Sequence, residues 1–174
     1  MSLDVIGFSA AISAWEKGGQ WQRVGPLLDE MRREDVLRDL IIFNAAISAC
    51  EKDGQWQQAR RLLDEMRREG LLPDVISFGT AMSACTKGGQ WQRVESLLDE
   101  MQKQGLLPNT ITFSAAITAC DKGGHWKRAQ SLLNRMRTEG VSFDVIIFNA
   151  ALSACRKGEQ WERAQSLLDE MRRE

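Results

Sequence analysis

Residues 40–54 read LIIFNAAISACEKDG, and residues 75–89 repeat the same pattern as VISFGTAMSACTKGG, 35 positions later. Further copies begin at residues 5, 110 and 145, and no insertion or deletion breaks the register from Val5 to Glu174. Self-similarity at this period is typical of repeat architectures, in which each unit buries its apolar face only by stacking on its neighbours. The sequence therefore predicts a stacked array rather than one conventional core.

Each repeat begins with a helical pattern, which we call helix A. In the second repeat the apolar residues fall at i, i+3, i+7 and i+10, which places them on one face of a helix. These residues are Leu40, Phe43, Ile47 and Cys50. Asp39 precedes the helix in the position of an N-cap, and the pair Asp53-Gly54 ends it with a turn signal.

A second apolar stripe forms helix B, which closes at Gly70 with Pro73 just beyond it. In the second repeat this stripe contains Trp56, Ala59, Leu62, Leu63 and Met66. We therefore expect an all-α solenoid of five helix-turn-helix repeats of 35 residues, forming a single array over residues 1–174. The repeats are 5–39, 40–74, 75–109, 110–144 and 145–174, and the last is incomplete. The recurring Phe, Trp and Met columns are expected to form its continuous core.

The first repeat departs from the pattern because Gly25-Pro26 falls inside its helix B. An interior proline costs a helix roughly 3 kcal/mol, since it supplies no N–H and clashes one turn back. We expect this helix to be bent or to begin late.

Composition and charge limit the function classes. The chain has 174 residues, of which 43% are hydrophobic and 27% charged, and its formal net charge is −1. This balance is not that of a strong polyanion binder, so any affinity for nucleic acid must come from a local group of cations. No run approaches the roughly 18 apolar residues of a membrane span. The opening Met1-Ser2-Leu3-Asp4 lacks the zones of a signal peptide, and we interpret the chain as a domain or fragment.

The cysteines recur once per repeat, at Cys50, Cys85, Cys120 and Cys155. Metal sites need ligands a few residues apart, and stacked repeats hold equivalent atoms too far apart for a disulfide. Trp15 occupies the same place in the first repeat, which favours a packing role. We expect four free, buried thiols.

A polar stripe lies beside the apolar stripe of helix A, at i, i+4 and i+8. It consists of Ser9, Ser13 and Lys17, then Asn44, Ser48 and Lys52, Gly79, Ser83 and Lys87, Ser114, Thr118 and Lys122, and finally Asn149, Ser153 and Lys157. Small amides and hydroxyls flanked by cations suit the reading of base edges beside a phosphate backbone. A solvated helix face, with lysines near the helix C-terminus and plain N-caps, would give the same pattern.

Three motifs recur with the 35-residue period. Each repeat opens with Val-Ile-x-Phe-Asn-Ala-Ala-Ile-Ser-Ala-Cys-x-Lys-x-Gly, continues with Leu-Leu-Asp-Glu-Met-Arg-Arg-Glu-Gly and, where it is complete, closes with Pro-Asp, in this or a similar form. This period and these motifs resemble those of the pentatricopeptide repeat family. The resemblance extends from Val5 to Glu174. It departs from the family at the Trp column, where an aliphatic residue is more usual. It implies a right-handed superhelix whose concave side is lined by helix A and binds single-stranded RNA, one base per repeat.

By this resemblance, the fifth and last residues of a repeat choose the base. The choosing pairs are Ser9 with Asp39, Asn44 with Asp74, Gly79 with Asn109, and Ser114 with Asp144, while Asn149 has no partner in the sequence. The residues that would stack between bases are Ile6, Ile41, Ile76, Ile111 and Ile146. The five lysines of the polar stripe resemble the phosphate-contacting residues of the family. The family rule then gives the preferred core G-U-(A)-G, with a weak third site and a poorly discriminated pyrimidine at the fifth.

Nothing in the sequence indicates chemistry. His125 is the only histidine, and neither the H-x-E and C-x-x-C pattern of zinc deaminases nor a Gly-rich phosphate loop occurs. We expect no enzyme, no cofactor and no metal. A protein-interaction scaffold remains the alternative to RNA binding. The family resemblance alone suggests a mitochondrion or plastid. The terminal repeats lack polar caps, so we also expect end-to-end self-association through the Trp161/Leu168/Met171 side.

Overall fold

The computed structural model describes residues 5–172, which contain ten α-helices and no strand. The A helices are α1 (Val5–Gly18), α3 (Leu40–Lys52), α5 (Val75–Lys87), α7 (Thr110–Lys122) and α9 (Val145–Lys157). The B helices are α2 (Val24–Arg33), α4 (Trp56–Arg68), α6 (Trp91–Lys103), α8 (Trp126–Thr138) and α10 (Trp161–Met171). The all-α fold is confirmed. Residues 1–4 and 173–174 of the expected array lie outside the described residues, as does the side chain of Met171.

The chain divides after Gly88 into two compact units. In the first, α1 packs on α3 and α3 packs on α5, while α2 contacts α1 and α4 contacts both α3 and α5. In the second, α7 packs on α9, α6 contacts α7, α8 contacts α7 and α9, and α10 contacts α9. Within each unit, therefore, A helices stack directly on A helices and B helices pack beside them.

Four A helices begin at the expected residue because a polar side chain caps them. The side-chain oxygen of the residue before each helix accepts the N–H of the third helical residue, which would otherwise lack an acceptor. These bonds join Asp39 to Ile42 (2.9 Å), Asp74 to Ser77 (2.8 Å), Asn109 to Thr112 (3.1 Å) and Asp144 to Ile147 (2.8 Å). The predicted N-cap Asp39 is confirmed, and Asp74, Asn109 and Asp144 cap their helices in the same way.

Helix α2 begins late, as its proline predicts. The other B helices begin at their tryptophan, but in the first repeat Trp21–Arg23 form a 3₁₀ turn and the α-helix begins at Val24. Pro26 is then the third residue of α2, where an N–H would have no partner within the helix in any case.

The core consists of the Phe and Met columns and the four free cysteines, but not of the Trp column. Phe8, Phe43, Phe78 and Phe113 are fully buried, and burial raises the pKa of Cys50 to about 12 and that of Cys120 to about 11. The expectation that the tryptophans form part of the core is wrong. The side chains of Trp56, Trp91 and Trp126 are half-buried, and that of Trp161 is 76% exposed. The physical reason is that Trp56, Trp91 and Trp126 pack at the edge of their repeats, each against a glycine of the next repeat (Gly88, Gly123 and Gly158).

Across residues 5–172 no helix is long and apolar enough to cross a membrane. The described residues also contain no group of three His, Cys, Asp or Glu side chains that could hold a metal ion.

Candidate nucleic-acid interface

The second residue of every repeat is an exposed isoleucine. Ile6, Ile41, Ile76, Ile111 and Ile146 are 63–77% exposed, although the phenylalanine two positions further along is buried in every repeat. Each lies in the first turn of an A helix, and for α3, α5, α7 and α9 the N-cap fixes where that helix begins. A recurring exposed apolar side chain offers an apolar surface against which a nucleobase can pack. This geometry is the one required of the five residues predicted to stack between bases.

The fifth and last residues of the second repeat meet through their side chains. The Nδ2 group of Asn44 donates to Oδ1 of Asp74 at 3.4 Å. Oδ1 of Asn44 in turn accepts from the hydroxyl of Ser77 at 2.6 Å. Asp74 is held by the backbone N–H of Ser77 at 2.8 Å, and Asn44 and Asp74 are both only half-buried. An amide and a carboxylate that can still be reached by a ligand are thus set side by side.

The other predicted base-selecting residues occupy equivalent places on their helices. Ser9 and Ser114 are half-buried in the first turns of α1 and α7, and Asn149 is exposed in α9. Asp39 and Asp144 are half-buried caps of α3 and α9. Gly79 is buried and Asn109 exposed, and they belong to different units. Because glycine has no side chain, the predicted base-selecting pair of the third repeat has one side chain, that of Asn109, whereas the pair of the second repeat has two.

Three of the recurring lysines reach back to the preceding A helix. Nζ of Lys87 lies 3.1 Å from Oε1 of Glu51, and Nζ of Lys157 lies 2.9 Å from Oδ1 of Asp121. Nζ of Lys52 donates to the backbone carbonyl of Lys17. The two ion pairs partly neutralise Lys87 and Lys157, and the three contacts join α1 to α3, α3 to α5 and α7 to α9, although exposed ion pairs contribute only about 0–1 kcal/mol. Lys87 and Lys157 remain partly exposed and can still reach a phosphate.

Sequence reasoning missed the acidic partners of these lysines and the role of Ser77. Glu51 and Asp121 each stand one place before the lysine of their own repeat and pair with the lysine of the following repeat, 36 positions later. The 36-residue spacing of these pairs could have been found in the sequence. The Ser77 contact could be found only once α3 and α5 were placed side by side.

Comparison with known proteins agrees with this architecture. The family model described as "PPR repeat family" matches residues 38–87 and 73–122, and the model described as "PPR repeat" matches residues 111–141 and 146–174. A comparison with curated protein sequences finds no match.

Solved structures share the fold at low identity. One is the maize pentatricopeptide repeat protein PPR10 in complex with an 18-nt psaJ RNA element (TM-score 0.80, 20% identity, 97% of this chain). The chain spans 25% of the length of that protein. Another is the PPR domain of Arabidopsis thaliana protein-only RNase P 1 in complex with tRNA (TM-score 0.81, 15% identity, 94% of this chain and 86% of that one). A third, nuclear proteinaceous RNase P 2 of A. thaliana, gives a TM-score of 0.81 at 14% identity over 98% of this chain and 39% of that one. With two family models covering most of its length, the chain belongs to the pentatricopeptide repeat family.

Proposed function

We propose that this chain is a sequence-selective single-stranded RNA-binding module that reads one base per repeat. The observation that carries the proposal is the Asn44–Asp74 side-chain pair, which lies one helical turn from the exposed Ile41. A hydrogen-bonding edge beside an apolar face is what recognition of an unpaired base requires. Two of the similar structures are complexes with RNA, one with a psaJ RNA element and the other with tRNA, which supports a nucleic-acid partner.

Each side chain of the interface has one part in this binding. The fifth-position Ser or Asn contacts the Watson–Crick edge of a base, with Asp74 or Asp144 holding or extending that contact. The isoleucines pack on the two faces of the base. The lysines contact phosphates and carry no sequence information. With the family rule, the preferred core is G-U-(A)-G, the third site being weak because Gly79 has no side chain.

The proposed role is binding alone, without a cofactor. Two of the similar structures are named as protein-only RNase P, and we place any catalysis outside these repeats. On family grounds the module serves RNA processing, stability or translation in a mitochondrion or plastid.

Self-association is a second proposed property, separate from the protein-interaction scaffold that is the alternative to RNA binding. It rests on Trp161, which is 76% exposed although its equivalents Trp56 and Trp126 lie against a glycine of the next repeat. The equivalent glycine of the first repeat, Gly18, has only Gln20 near the position of an added Cβ. We propose that Trp161 of one copy docks on Gly18 of another.

A titration of labelled short RNAs tests the RNA-binding proposal. The protein is titrated at low salt against a single strand containing GUAG, a single strand of the same composition in scrambled order, and the corresponding duplex, with fluorescence anisotropy as the signal. We expect weak, strongly salt-dependent binding that favours the GUAG strand, since four or five bases contribute little affinity. Equal affinity for all three ligands, or none, would overturn the proposal.

A further inference from the structure

The hydroxyl of Ser77 joins the cap of α5 to the side chain of Asn44. Ser77 is fully buried, and its Oγ lies 2.6 Å from Oδ1 of Asn44, 2.9 Å from Oδ1 of Asp74 and 3.2 Å from the backbone nitrogen of Asp74. Capping of the helix needs only Asp74 and the bonds within residues 74–77. The short contact to Asn44, which belongs to the preceding repeat, has no part in the cap.

This contact determines which end of the Asn44 amide faces Ser77 and which end faces Asp74. The Ser77 hydroxyl can donate one proton, and Oδ1 of Asn44 is its nearer acceptor. The Nδ2 end then faces the carboxylate of Asp74 at 3.4 Å. A reversed amide would instead place two acceptor oxygens against each other at that distance. Ser77 and Asp74 together therefore hold the amide in one orientation.

The orientation of an amide matters because uracil and cytosine have the same size and opposite edges. Uracil presents an N3–H donor beside the O4 acceptor, whereas cytosine presents an N3 acceptor beside the N4 amino donor. A primary amide fits either edge after a half-turn about its last bond, since one end accepts and the other donates. A fixed amide fits only one of the two pyrimidines.

We infer that Ser77 is a specificity-determining positioning residue, whose hydroxyl fixes the Asn44 amide so that the second repeat distinguishes uracil from cytosine. The inference rests on the proposed RNA-binding function. It also adds a third position to the pair that the family resemblance supplies. None of the hydrogen bonds to Asp74 described above involves its Oδ2, so that oxygen is still available to a base.

The other repeats show why this arrangement is particular to Asn44. The residue equivalent to Ser77 is the third of each repeat, and it would contact the fifth residue of the repeat before. In the five repeats it is Gly7, Ile42, Ser77, Thr112 and Ile147, so only the second and third repeats are followed by a residue with a hydroxyl. The fifth residue of the third repeat is Gly79, which has no side chain to orient. Thr112 caps its own helix through Asn109, as Ser77 does through Asp74. It therefore supplies a matched control.

Three variants separate positioning from capping. Ser77→Ala removes the hydroxyl, Ser77→Thr keeps it in the residue type that repeat four uses, and Thr112→Val removes the equivalent capping hydroxyl elsewhere. Each is titrated against RNAs that differ only as GUAG or GCAG, after circular dichroism has shown the helical content to be unchanged. We expect Ser77→Ala to lower the preference for uracil about fivefold, the usual effect of one hydrogen bond. Ser77→Thr and Thr112→Val should leave that preference as it is in the wild type.

A measurement without RNA distinguishes failure of this inference from failure of the proposed function. The side-chain amide signals of Asn44 in a ¹H–¹⁵N spectrum should be displaced from free-asparagine shifts in the wild type and in Ser77→Thr, and should move towards them in Ser77→Ala. Unchanged amide signals in Ser77→Ala, or a full uracil preference in that folded variant, would overturn the inference. A wild type that shows no preference for uracil would instead overturn the proposed function, and the specificity role with it. The amide signals would then still show whether Ser77 holds Asn44.

Discussion

The indole ring of Trp126 lies directly against Gly158 of the next repeat, so closely that a Cβ on Gly158 would come within 2.6 Å of the ring's Cγ. The same relationship joins Trp56 to Gly88, where the added Cβ would lie 2.7 Å from Cδ1 of the ring. At Gly88 and Gly158, which directly follow an A helix and have φ of −78° and −89°, glycine is therefore required by packing and not by the backbone conformation. In each case the tryptophan of the preceding repeat packs against the glycine.

Replacing Gly158 by alanine should destabilise the protein. The added methyl group overlaps the Trp126 ring, and overpacking of this kind costs typically about 1–3 kcal/mol. Gly25→Ala is the comparison variant, because no atom outside its neighbouring residues and its own helix backbone lies within 4 Å of the Cβ it would add in α2. We expect it to change stability by less than about 0.5 kcal/mol, because the gain in helix propensity is opposed by crowding against Pro26. Urea unfolding followed by circular dichroism measures both variants, and a Gly158→Ala protein no less stable than Gly25→Ala would contradict the packing account.

Self-association through Trp161 should respond to the charge of Arg156. Inside the chain, Lys87 pairs with Glu51 and Lys157 with Asp121, in each case an acidic residue of the preceding A helix. In a head-to-tail contact between copies, Lys17 would meet Arg156 instead, so we expect weak association. Arg156→Glu should lower the dissociation constant, and adding Trp161→Ala to it should restore monomers. Sedimentation equilibrium over a range of concentrations measures this, and a monomeric Arg156→Glu variant at the highest concentration would refute the docking proposal.

Lys87 should affect all RNAs alike. Loss of one phosphate contact reduces the slope of log affinity against log salt by roughly 0.7 for a single strand. Lys87→Ala should show that reduction without a change in base preference. Glu51→Gln should strengthen binding to every RNA, because it releases the Lys87 ammonium from its ion pair. Anisotropy titrations at several salt concentrations provide the slopes, and a change of preference at a single base would assign Lys87 a different role.

Much of the fold was predictable because residues within each repeat mark where its helices begin. Asp39 and Asp144 signalled where helices begin, Pro26 signalled the late start of α2, and the period itself predicted stacking. The contacts between repeats were not predictable, because they depend on which faces meet after stacking. The rim position of the Trp column and the hydrogen bond from Ser77 to Asn44 arise in this way.

The ion pair between Arg38 and Glu69 is another contact between repeats that was not predictable from the sequence. Arg38 stands where the next two repeats have Pro73 and Pro108, and in sequence it looks like a lost helix stop. In the structure its guanidinium lies 2.5 Å from Oε1 of Glu69 and 3.3 Å from Oε1 of Glu65, in the next repeat. Its role as a link between repeats depends on side chains that are about 30 positions away in the sequence.

The base-reading role of the second repeat is tested most directly by Asn44→Ser. This change converts its choosing pair from Asn with Asp74 to Ser with Asp74, the combination that the family rule associates with guanine. Affinities of the wild type and the variant are measured at low salt against four RNAs that differ only at the second base of GUAG. We predict that the preferred second base changes from uracil to guanine, while substitutions at the first and fourth bases retain their wild-type effects. An unchanged preference for uracil in the folded variant would contradict the assignment of Asn44, and the scaffold hypothesis would then be the better account of this solenoid.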